Sequence, residues 1–161
     1  MFDETHSAGY TEIYQRYKSG ANWFYWIAGL TLVTSIVAFS GGDWRFLISL
    51  GITQFFDAFA AGLSIDLGGA PQVIALVLDI VVTALFVLFG VLAGKKLLSA
   101  YMIGMVLFGL DGLVSLMLQD LIGVLAHAVV LFFLVRGYMA GRELMALERE
   151  MAQAPPPAPA I

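Results

Sequence analysis

Asp57, Asp79, Asp111 and His127 each interrupt a stretch that is otherwise apolar, as Asp111 does in VLFGLDGLVSLML over residues 106–118. Ionisable groups in such stretches are expensive to bury, so each is a candidate site residue. Gln54, Thr53, Thr83 and Ser115 supply further hydrogen-bonding atoms close by in the sequence. Three carboxylates face one imidazole, with no lysine or arginine between the ends of these stretches. One aspartate can pair with His127 as a cation. The other two must be protonated, hydrated or bound to an external cation, and protonation is the cheap solution in a low dielectric. The chemistry to expect is reversible binding of a proton, a cation or an amine-bearing small ligand, with His127 tuning the charge or relaying protons. No ligand spacing names a metal, and no cofactor is expected.

Sequence position puts these groups at one depth. Asp79 follows Pro71 by eight residues, Asp111 precedes Gln119 by eight, His127 follows Asp120 by seven and Asp57 precedes Asp66 by nine. At ~1.5 Å per residue each lies roughly 10–14 Å from the same, non-cytoplasmic face, provided for Asp57 that its helix is regular and transverse. Helical spacing also gives them common sides. Gln72, Ala75, Asp79, Thr83, Phe86 and Gly90 form one stripe, Gly104, Phe108, Asp111 and Ser115 a second, and Gly123, His127, Val130 and Gly137 a third. Against a functional cluster stands simple adhesion: interhelical polar contacts in membranes are modest glue, averaging ~0.6 kcal/mol. His127 taken alone reads as a hydrogen-bonded core residue rather than a metal ligand.

The elements that position these residues are set by composition. The 161-residue chain is 60% hydrophobic and 12% charged, with mean hydropathy +0.89, whereas soluble domains carry about 45–50% apolar and about 25% charged residues. The fold class expected is an all-α integral membrane protein, a bundle of five membrane-embedded helices in one domain over 22–141. A span needs ~20 apolar residues, and five segments qualify, at about 22–40, 46–64, 71–94, 98–118 and 121–138. Trp23, Phe24, Tyr25 and Trp26 mark an interface at the first, Pro71 suits a first helical turn and Asp120 suits an N-cap. The second segment is amphipathic, since Arg45, Ser49, Thr53 and Asp57 recur every four residues, so it either spans or is re-entrant; five spans is the favoured reading.

In residues 1–21, Tyr10, Ile13, Tyr14 and Tyr17 have i, i+3, i+4, i+7 spacing, which suits a short interfacial helix, with a frayed tail as the equal alternative. Residues 142–161 are expected to add a cytoplasmic helix and a disordered proline-rich tail. The polar, acidic start MFDETHSAGY fits neither a signal nor a transit peptide. Lys95, Lys96, Arg136, Arg142 and Arg149 place the C-terminus in the cytoplasm by the positive-inside rule. If the second segment spans, six basic residues lie inside and two outside; if not, seven and one. Small-residue spacing at Ala58–Gly62, Gly90–Gly94 and Gly137–Gly141, with Gly104, predicts close helix packing.

The absence of cysteine excludes thiol redox chemistry, disulfide relays, iron–sulfur clusters and thiolate zinc sites. A formal charge of −4 with no basic face excludes a nucleic-acid partner. There is no HExxH or GxSxG, so no enzyme is expected. The leading expectation is an accessory or structural bundle in a cell membrane of the bacterial inner-membrane kind, self-associating or accompanying a partner membrane protein. The alternative is proton, cation or small-ligand binding or transport through the acidic layer.

Overall fold

The computed structural model describes residues 2–40, 50–67 and 69–153. They form α1 (Phe2–Phe39), α2 (Gly51–Leu67), α3 (Ala70–Gly94), α4 (Leu98–Met117) and α5 (Leu121–Gln153). Arg45, residues 46–49 of the expected second segment and the proline-rich stretch 154–161 lie outside the described residues.

The connections are short because each helix end carries its own stop signal. Pro71 opens α3. At its other end Lys96 adopts a left-handed φ of 61°, and Leu97 N–H donates to Leu92 O at 3.1 Å, which satisfies carbonyls that the helix leaves unpaired. The same device ends α4: Gln119 has φ 58° and Asp120 N–H reaches Ser115 O at 3.0 Å. Asp120 then starts α5, its Oδ1 accepting from Gly123 N–H at 2.9 Å, so it is the N-cap that its position suggests. These tight turns make α3, α4 and α5 antiparallel neighbours.

One expected boundary is not present: α1 runs without a break from the expected interfacial stretch into the first apolar segment. α5 passes the expected domain boundary at 141 as one helix that continues through the charged stretch after Arg142. In α1 the buried positions Ile13, Tyr17, Ala21, Phe24, Ala28, Thr31 and Ser35 recur every three or four residues, the spacing of one continuous packing seam. The tyrosine stripe therefore faces other helices: Tyr17 is buried, and its hydroxyl donates to Ala93 O. In α5 the seam Gly123, His127, Val130, Leu134, Gly137, Ala140 and Leu144 passes the expected boundary in the same way.

Contacts along α1 set the direction of the whole bundle. Tyr10 donates to Glu148 Oε1 at 2.8 Å, Trp23 stacks on Phe133 at 5.1 Å, and Phe24 meets Phe86, Phe89 and Tyr101. α1 is thus antiparallel to α3 and α5, and its first turns share an end with the Lys95–Leu97 turn. Arg16, Lys18, Lys95, Lys96, Arg136, Arg142 and Arg149 all belong to that basic end.

α2 does not join the two ends. Its start lies beside Thr31, eight residues before the end of α1, and beside Asp111, six residues before the end of α4. Its other end leads directly into the start of α3. Among the described residues four helices, α1, α3, α4 and α5, are long and apolar enough to cross a membrane. The described part of α2 begins beside α1 and α4 inside the bundle and ends next to the start of α3. Residues such as Ile74, Val81, Leu110, Leu125 and Phe132 are exposed on the outside of these helices, as a lipid-facing surface requires.

At the basic end one ion pair ties three elements together. Lys96 pairs with Glu148 and lies 5.9 Å from the centre of the Tyr14 ring. The Lys96 hydrogen bond holds the Glu148 carboxyl below its ordinary 4.5, and Glu148 in turn raises the Lys96 ammonium above its ordinary 10.5. The stabilisation from Glu148 is present above pH 4.5 and is lost as pH falls through its lower folded value; that from Lys96 is present below 10.5 and is lost as pH rises through its higher one. Both side chains are about one-third exposed, so the pair contributes about 0.2–1 kcal/mol. Glu148→Gln is expected to lower amide-exchange protection around Tyr10–Tyr17 at pH 7 and to leave that protection nearly insensitive to acid. Unchanged exchange would show that the pair does not hold α1.

Candidate functional site

The expected layer of four ionisable groups separates into two sites with opposite character. The first is built around Asp111. Helix α2 has no capping side chain of its own, because the residue before Gly51 is Leu50. A helix start leaves its first N–H groups unpaired, and burying them without acceptors is costly. Here neighbouring helices supply the acceptors. Leu50 N–H points at Thr31 Oγ1 of α1 at 3.3 Å. Gly51 N–H donates to Asp111 Oδ2 at 2.7 Å and Ile52 N–H to Asp111 Oδ1 at 2.9 Å. A carboxylate is favoured at this position by the helix dipole as well as by the two N–H groups.

His127 completes the arrangement. Its Nδ1 lies 2.7 Å from Gly123 O. A carbonyl can only accept, so Nδ1 carries a hydrogen. Its Nε2 lies 2.9 Å from Asp111 Oδ2. That oxygen also accepts from Gly51, and it shares one proton with Nε2, which closes a buried His127–Asp111 pair. The ring stacks on Phe108 at 4.6 Å between centroids. Ser115 is buried and bonds to its own helix, at Asp111 O, 3.4 Å away. Gly51 is needed for so close an approach: a Cβ there would stand 2.6 Å from Ser115 Oγ and 2.9 Å from Ser115 N. Asp111 thus has three partners and little capacity for a ligand.

The second site is built around Asp79 of α3, which is fully buried. Neither of its carboxyl oxygens has a hydrogen-bond partner among the described residues. The hydroxyls of Thr83, one turn along α3, and Ser35, on α1, are also buried without partners. Ser35 and the half-buried Asp57 of α2 are the polar groups that act on Asp79. Gln54 is half-buried on α2. Orphaned polar atoms of this kind are rare and call for a ligand, a proton or water. Among the described residues no three His, Cys, Asp or Glu side chains come together as a metal site.

The packing residues divide similarly. Gly90 meets the Tyr25 ring, Gly104 meets Phe24 and Phe89, Gly137 meets Gly20, and Gly141 meets Tyr17 and Leu98. Within this chain the expectation fails for three positions. Gly62 and Gly94 have no neighbour within 4 Å of an added Cβ, and Ala58 is exposed, because these positions lie on outward faces.

Sequence reasoning did not single out Thr31 and Ser35, although both sit on the 3–4 seam of α1. It also passed over Gly20 and the backbone of residues 50–52. Compared with known protein families, curated proteins and solved structures, the chain matches none of them.

Proposed function

We propose that this protein is a small multi-pass membrane protein that binds a proton or a small monovalent cation at Asp79. The observation that carries this reading is the set of orphaned buried oxygens on Asp79, Thr83 and Ser35. A fully buried carboxyl with no partner in hydrogen-bonding geometry is costly to leave charged, and the nearby hydroxyl oxygens suit either a proton shared by hydrogen bonds or a hard cation. Asp57, half-buried on α2, gives the site a second carboxylate on the side away from the basic end. The positive-inside rule puts the basic end, and with it both described termini, in the cytoplasm of a cell membrane, so the site lies nearer the outer face.

Thermal unfolding of the purified protein across pH and in sodium or potassium salts tests this. The wild type is expected to depend on proton or cation concentration. Asp79→Asn is expected to lose that dependence and, at alkaline pH without added cation, to be about 1–3 kcal/mol more stable than the wild type, because it has no carboxylate to neutralise. Wild-type unfolding indifferent to both, with no gain in the variant, would overturn the proposal. A second reading then takes its place: an accessory bundle that self-associates or accompanies a partner, without catalysis. The complete satisfaction of Asp111 and His127 by other residues of the chain favours it for that half of the layer.

A further inference from the structure

At the basic end, α1 and α5 enclose a cavity of about 220 Å³ lined by Arg16, Ser19, Gly20, Trp23, Phe133 and Arg136, with Gly137. The lining is graded along the helices. Toward the end of the bundle it carries two guanidinium groups and a hydroxyl. One to two turns deeper it carries the stacked pair Trp23–Phe133, 5.1 Å between centroids. Its floor is the backbone contact of Gly20 with Gly137, where a Cβ would come within 2.6 Å of the facing Cα.

The charges in this cavity are not balanced from within. Arg16 Nε is buried and has no hydrogen-bond partner among the described residues. Its one acidic contact is Glu12, which lies 3.8 Å from Nη2 and is 75% exposed. Arg136 makes no ion pair among the described residues. Two guanidiniums converging on one small space suit a phosphate oxyanion, which they can bind through paired N–H groups.

We infer that the Arg16–Arg136 cavity is a binding site for the phosphate headgroup of an anionic phospholipid. The grading of the lining selects a lipid over a free anion: arginines meet the phosphate while the aromatic wall meets the glycerol and the start of the acyl chains, as at membrane interfaces generally. The basic side of the bundle is also where an anionic leaflet would meet it.

Native mass spectrometry of the full chain, given equal amounts of phosphatidylglycerol and phosphatidylcholine, tests this. The wild type is expected to retain phosphatidylglycerol by more than tenfold over phosphatidylcholine, each arginine contributing about fivefold. Arg136→Gln, an exposed change that should leave folding intact, is expected to lower the preference about fivefold. Adding Arg16→Gln is expected to abolish it. The charge-matched pair Arg142→Gln with Arg149→Gln, further along α5, is expected to keep it. Equal retention of the two lipids by the wild type, or an equal loss in the charge-matched pair, would overturn the inference. Displacement of bound phosphatidylglycerol by millimolar inorganic phosphate would overturn the lipid source and assign the site to a soluble anion.

Discussion

Asp111→Ala is expected to release the start of α2 and to cost about 3–5 kcal/mol, since each buried polar group left without its partner costs about 1–3 kcal/mol. Three deficits appear together. Gly51 and Ile52 keep buried N–H groups with no acceptor, and His127 Nε2 loses its partner. Among the described residues no side chain near the start of α2 is placed to take over, since Thr31 already serves Leu50 and Thr53 bonds back to Leu50 O at 2.8 Å. Asp111→Asn is instructive because simple interhelical adhesion would leave it nearly silent, one hydrogen-bonding side chain replacing another. The geometry gives a different expectation. Both carboxylate oxygens accept from backbone N–H groups, and an amide offers a single oxygen. One N–H must then face an NH₂ group, at about 1–3 kcal/mol. Chemical unfolding in detergent ranks the two variants. The chain contains no cysteine, so an Ile52→Cys reporter adds a local readout, protected in the parent and labelled by a thiol reagent once α2 is released. Wild-type stability and a protected reporter in Asp111→Ala would show that Asp111 does not hold α2.

Gly137→Leu is the second change expected to be severe, with Gly20→Leu its counterpart. A Cβ on either residue would lie 2.6 Å from the Cα of the other. The obstacle is backbone, so no rotamer change relieves it, and α1 and α5 must move apart. Separation strips the Trp23–Phe133 stack and the bond from Tyr101 Oη to Leu134 O, 3.1 Å, and it opens the cavity beneath Arg16 and Arg136. Overpacking costs about 1–3 kcal/mol where neighbours can adjust; here the expected loss is at or above that range. Losses at the two positions should not add, because they disrupt one contact. Gly94→Ala is the internal control. Its Cβ meets nothing within 4 Å, so it is expected to gain up to about 1 kcal/mol from helix propensity. Loss at Gly94 equal to that at Gly137 would point to backbone effects rather than to the α1–α5 contact.

Local chemistry in the sequence was enough to establish an all-helical membrane chain, the bounds of α3 and α4, the cap at Asp120, and the buried state of Asp79, Asp111 and His127. Each of these depends on residues within a few turns of one another: an apolar run, a proline, or the 3.6-residue period that puts Asp79 with Thr83 and Asp111 with Ser115. The continuity of α1 was legible in the same period, since Ile13, Tyr17, Ala21 and Phe24 keep the seam spacing; charged neighbours on the outer face concealed it. What Asp111 does was decided by tertiary structure alone. Its N–H donors lie 59 and 60 residues away in the chain, on a helix with no capping residue of its own, and nothing in the spacing of either segment encodes their meeting. The same holds for the division of the acidic layer. Depth along a helix follows from residue number, but which carboxylate finds donors and which stays orphaned depends on where α2 enters, and that is set by how α1, α3 and α4 pack around it.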